Sequence, residues 1–180
     1  MTPLPASARL LLALLVILAS LYDTRERRVP NWLTLAGLLL GLGINAALYQ
    51  GEGLWSGLRG VGLAMLIYFP LWLLRGVGAG DVKLMAAVGS IVGPANWIVV
   101  LVLTSIMSAV SGLVLALAKG RLASTLGNVG RILGSLASGQ RPFEQHPNLD
   151  VRNPQALRLP HAVSIALGSL MFLIATRFLH

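Results

Sequence analysis

Two aspartates carry the reactive possibilities of this chain. Asp81 stands in Gly78-Ala79-Gly80-Asp81-Val82-Lys83, a glycine-broken point in a sequence that is otherwise almost all apolar, and Asp23 closes another long apolar run. A carboxylate beside hydrocarbon is costly unless paired or hydrated, so one held there points to a functional site. None of the other acids, Glu26, Glu52, Glu144 and Asp150, ends such a run. Two carboxylates brought together near a low-dielectric boundary do not both ionise comfortably; one keeps its proton while the other acts as a base. Such a pair activates a water for attack on a peptide carbonyl and protonates the carbonyl oxygen and then the leaving amine. That chemistry calls for no metal, no cofactor and no covalent nucleophile.

The neighbours of Asp81 fit the same picture. Gly78 and Gly80 let backbone or an extended substrate come close and permit unusual dihedrals ahead of a helix. The helix that follows would offer free N–H groups to orient the carboxylate. Each residue also has an ordinary role. Asp23 could balance Arg25 and Arg27, Asp81 could be a helix cap, the glycines could be turn formers, and Lys83 could extend to the interface as a supporting cation. His161 begins a span and His146 lies in a polar loop; neither has a companion at metal-ligand spacing, and no metal site is expected.

The elements that must position these residues are membrane spans. The chain has 180 residues, 56% hydrophobic and only 11% charged, whereas soluble domains carry about 25% charged residues. Without cysteine it has no disulfide, thiolate nucleophile or cysteine zinc site. Crossing the hydrocarbon takes about 20 apolar residues. Spans are expected at about 5–22, retained rather than cleaved as a signal, 32–49 with close-packing Gly37 and Gly41, and 61–74, kinked at Pro70. A polar turn at 50–60 separates the second from the third. The apolar stretch 82–118 is too long for one crossing and breaks at Gly93-Pro94-Ala95-Asn96, which predicts a helical hairpin with a short first arm. Its second arm carries a small-residue stripe, Thr104, Ser105, Ser108, Ser111 and Gly112, suited to helix packing. A last span covers 160–179. Between them, 119–159 is polar and includes an amphipathic, surface-lying helix at 121–136. Trp32, Trp55, Trp72 and Trp97 fall near span ends, as an aromatic belt would place them.

The expected fold is therefore an all-α polytopic membrane bundle of about six transmembrane helices, a single membrane-embedded domain over 1–180. Alternating six spans puts eleven basic residues on one side (Arg25, Arg27, Arg28, Arg75, Lys83, Lys119, Arg121, Arg131, Arg141, Arg152, Arg158) and three (Arg9, Arg59, Arg177) on the other. By the positive-inside rule the eleven face the cytoplasm and both termini are non-cytoplasmic. Asp23 and Asp81 then share the cytoplasmic side. The net charge of +8 reflects topology and anionic headgroups rather than nucleic-acid binding.

These residues resemble the type IV prepilin peptidases, within the membrane aspartyl proteases named for a Gly-x-Gly-Asp motif. The resemblance rests on Asp23-Thr-Arg-Glu-Arg-Arg-Val-Pro-Asn31, on Gly78-Ala-Gly-Asp-Val-Lys-Leu84, and on Leu159-Pro-His-Ala-Val-Ser-Ile-Ala-Leu-Gly168. It implies that Asp23 and Asp81 are the catalytic pair, supported by Gly78, Gly80 and Lys83. It also implies removal of basic leader peptides from prepilins or pseudopilins at the cytoplasmic face of the bacterial inner membrane. Larger members add a domain with paired Cys-x-x-Cys motifs and N-methylate the new terminus. This chain has no cysteine and no room for that domain, so it looks like the short, peptidase-only branch associated with Flp-type tight-adherence pili. His161 stands where the resemblance leads one to expect an aromatic such as Tyr. Two other classes compete: a small proton- or cation-coupled carrier using the aspartates as a relay, and a noncatalytic pilus assembly factor. Both aspartates lying at span ends on one side, without an internal repeat, argues against the carrier.

Overall fold

The computed structural model describes residues 4–74, 76–120, 122–138 and 161–178. Its elements are all α-helices: α1 (Ala6–Glu26), α2 (Asn31–Leu73), α3 (Ala79–Ala118), α4 (Leu122–Ala137) and α5 (His161–Phe178). Three of them, α1 to α3, are long and apolar enough to cross a membrane, and α5 is a shorter apolar helix. Arg75, Arg121, His146, the loop leading to the last span and its opening Leu159-Pro160 lie outside the described residues.

Two of the helices are bent double. In α2 the backbone leaves helical dihedrals at Gln50 (φ 53°, ψ −136°), dividing it into arms at 31–49 and 51–73. The arms fold back on one another: a Cβ on Gly53 would strike the Asn45 carbonyl, and one on Gly57 would come within 2.8 Å of the Leu42 side chain. The polar turn expected over 50–60 thus contracts to Gln50. Gly53, Gly57 and Gly60 serve helix packing, which periodicity in a short polar stretch does not reveal. Helical dihedrals run through Pro70, whose missing N–H takes one hydrogen bond out of the last part of α2.

The bend in α3 falls where the turn signal predicts it. Gly93 adopts φ 72° and ψ 173°, a conformation glycine reaches without steric cost. The first arm, 79–92, forms the centre of the bundle: from Leu84 to Val92 every residue is buried. The second arm returns alongside it, with Trp97 Nε1 donating to the Met85 carbonyl at 3.0 Å. Trp97 is fully buried and packs edge-on against Tyr68, ring centroids 6.2 Å apart. It is a core residue and departs from the expected belt, because its indole N–H satisfies a backbone carbonyl inside.

Small residues set how closely the arms approach. Gly60 of α2 and Gly89 of α3 lie backbone to backbone, and a Cβ on Gly89 would come within 2.5 Å of the Gly60 carbonyl oxygen. Gly37 takes the Leu15 side chain of α1 and Gly41 takes Ser90 and Ile91 of α3, as the four-residue spacing predicts. Pro94 has no N–H to offer Ser90, and the bend at Gly93 leaves nearby carbonyls without helical partners. The buried Asn45 supplies them: its Nδ2 donates to Ser90 O at 2.8 Å and Ile91 O at 3.1 Å, as well as to Gly41 O at 3.2 Å. Of the predicted small-residue stripe, Thr104 is buried against Gly168 of α5 and Ser108 meets His161, while Ser105 is exposed.

Candidate active site

Four helix ends converge at one end of the bundle. α1 runs one turn past its apolar stretch and carries Asp23 on that extra turn. It stops at Arg27, which takes the left-handed conformation (φ 53°, ψ 31°) and returns its N–H to Asp23 O. A non-glycine residue there costs about 1 kcal/mol. What the turn achieves is a sharp reversal, so that Pro30 starts α2 directly beside the N-terminus of α3. Lys83 ties the two together, its Nζ donating to Asn31 Oδ1 at 2.9 Å.

Asp81 is the third residue of α3. Its Oδ2 accepts the N–H of Gly78 at 3.2 Å, which fixes the carboxylate at the positive end of its own helix. Gly78 is the cap residue here and Asp81 is not. The dihedrals of Gly78 are ordinary (φ −76°, ψ 151°), so the expectation of unusual backbone angles does not hold. Closeness is what these glycines provide: a Cβ on Gly78 would lie 3.1 Å from Asp81 Oδ2, and one on Gly80 would lie 3.4 Å from the Val29 side chain.

Asp23 is held from another direction. It sits near the C-terminus of α1, where a negative charge is unfavourable for that helix, but its Oδ2 accepts the N–H of Ala162 at 3.2 Å. Ala162 is the second residue of α5, so Asp23 caps in trans the start of a helix far along the chain. Both aspartates are half-buried, and each interacts electrostatically with the other and with His161. Tyr68, buried at 3% exposure, interacts in the same way with Asp81.

In front of the two carboxylates opens a cleft of about 510 Å³. Its walls bring together all the predicted site residues, Asp23, Asp81, Gly78, Gly80 and Lys83, and add Glu26, Arg27, Arg28, Val29, Pro30 and Asn31. The carboxylates of Asp23, Glu26 and Asp81 and the basic groups of Arg27, Arg28 and Lys83 together line a polar notch at the end of an apolar bundle. It can hold water and an extended backbone beside a proton donor and a proton acceptor. Asn31 was signalled in the sequence only by its place after Val29-Pro30. Tyr68 and the Ala162 N–H were not signalled at all, and His161 stood out only as the start of the last span and a departure from the expected aromatic. His161 meets Ser108 of α3 and stands one residue before the N–H that holds Asp23.

Comparisons with known proteins find relatives of this chain. The model of the type IV leader peptidase family matches residues 10–113, a stretch that contains both aspartates. The prepilin leader peptidase/N-methyltransferase of Escherichia coli (strain K12) is 34% identical over 95 residues, covering 49% of this chain and 42% of that protein. The chain therefore matches less than half the length of that relative. No solved structure matches it.

Proposed function

This chain belongs to the type IV leader peptidase family, and from that premise we propose that it is a membrane aspartic endopeptidase that removes the basic leader of Flp-like prepilins or pseudopilins. The observation that carries the reading is the meeting of Asp23 and Asp81, from distant parts of the sequence, on one polar cleft. In the proposed reaction a water lies between the two carboxylates. The ionised one takes a proton from it as the oxygen attacks the scissile carbonyl, and the protonated one gives its proton to the carbonyl oxygen. Collapse of the tetrahedral intermediate returns the hydroxyl proton to a carboxylate, and the amine leaves with a proton from the pair. Gly78 and Gly80 leave room for the substrate backbone, and Lys83 steadies the cleft through Asn31. The pair itself performs the chemistry, with no cofactor.

The location follows from the same features. A prepilin would keep its basic leader in the cytoplasm and its apolar helix in the bilayer, putting the bond to be cut at the interface. The bends at Gln50 and Gly93 divide α2 and α3 into four arms, which with α1 and α5 makes six passes of a single domain in the bacterial inner membrane. Both termini would be non-cytoplasmic, and the cleft, the basic residues and the 119–159 segment with α4 would be cytoplasmic. Peptidase activity is proposed without N-methyltransferase activity, since the chain has no cysteine to build the paired motifs associated with that larger form.

The test is co-expression of a pilin-like precursor with the wild type and with Asp23→Asn and Asp81→Asn, following leader loss and terminal methylation by mass spectrometry. The wild type should cut and leave an unmethylated terminus, while both folded variants should lose at least ~100-fold in rate, the scale of general acid–base catalysis. Cutting at the wild-type rate by either variant removes the dyad from the mechanism.

A further inference from the structure

Resting on the peptidase reading, we propose that His161 is a positioning residue of the aspartate pair: a basic ring behind the carboxylates, whose positive form steadies the ionised member. The placement is unusual for a structural histidine. His161 opens α5, one residue before the N–H that holds Asp23 Oδ2. Its Nδ1 lies 3.5 Å from Ser108 Oγ on the second arm of α3, so the ring has a neighbour on the side away from its own helix. It interacts electrostatically with both aspartates. Yet it is not among the residues lining the cleft, where Arg27, Arg28 and Lys83 are the basic ones. It would therefore act through the carboxylates rather than on the substrate.

Charge balance gives the position its meaning. A cation at a helix N-terminus is disfavoured by the helix dipole, so α5 alone offers His161 no reason to be positive. Among the described residues, the charged groups that face it are Asp23 from α1 and Asp81 from the first arm of α3. The second arm contributes the uncharged Ser108, and α2 contributes Tyr68, which faces Asp81. Two carboxylates that share a proton repel when both ionise, and a positive imidazole beside them relieves that repulsion. The uncharged aromatic that the family resemblance leads one to expect here could not do this.

The experiment is the pH–rate profile of prepilin cleavage by the full chain in membranes, for the wild type, His161→Gln, His161→Tyr and His161→Lys. Loss of the positive charge in the Gln and Tyr variants should move the acid limb of kcat up by about one pH unit, with KM unchanged. The Lys variant, with a fixed charge, should keep the acid limb at the wild-type position. An acid limb that stays in place in the Gln or Tyr variant overturns the proposal, as does failure of both to fold, which would make His161 structural. A wild type that cuts at no pH removes the peptidase reading itself, whereas a wild type that cuts beside unshifted variants removes only the role of His161.

Discussion

Asp23 accepts the Ala162 N–H and is also a proposed catalytic group, and the two duties separate by substitution. Asparagine keeps an oxygen for that N–H; alanine does not. Asp23→Asn should therefore be inactive at near wild-type stability, whereas Asp23→Ala should be inactive and also less stable by about 1 kcal/mol, the usual cost of a lost helix cap. Thermal unfolding in detergent, read beside the cleavage assay, distinguishes them. A pair that works with one proton should also give a bell-shaped pH profile. At low pH both groups are protonated and the base is lost; at high pH both are ionised and the acid is lost. Either Asn variant should abolish the bell. The two aspartates and both glycines were legible in the sequence because a charge and a break in an apolar run stand out on their own. His161 and Tyr68 were not, since their meaning lies in what faces them across helix boundaries.

At the scale of elements, the two bends and their supports govern stability. Asn45 donates to carbonyls released by Gly93 and Pro94. Asn45→Leu should destabilise the bundle by about 1–3 kcal/mol through those buried acceptors, measured as a fall in unfolding midpoint. Glycines offer a sharper contrast. Gly60→Ala and Gly89→Ala force a methyl into the opposing backbone and should lower folded yield, while Gly43→Ala, with nothing within 4 Å of the added carbon, should be tolerated. The Gly93-Pro94 hairpin and the Gly37 and Gly41 contacts were readable because turn chemistry and small-residue spacing are local signals. Asn45 and the burial of Trp97 were not, for a physical reason: lipid and helix interior are equally apolar, so hydrophobic periodicity does not tell which face of a span is inside. Rotation of each helix is set by packing, which a single sequence does not spell out.

The proposed topology would give the molecule a sided charge distribution, and that can be tested directly. The chain has no cysteine, so any introduced one is a unique reporter. Thiols placed at Arg25 or Lys119 should react with an impermeant reagent only from the cytoplasmic face, and one at Glu52 only from the opposite face. Reaction of all three from the same face would overturn the proposed topology. The buried arm that carries Asp81 has a last consequence. At 14 residues, 79–92, it is about 21 Å long, shorter than the roughly 30 Å hydrocarbon, and its neighbours enclose it almost entirely. Acyl chains therefore press on the outer helices and not on this one. The proposed peptidase should be deaf to its solvent: reconstituted in bilayers of short or long lipids, it should turn over within about twofold of one rate, with the membrane's thickness taken up by the tilt of the surrounding helices.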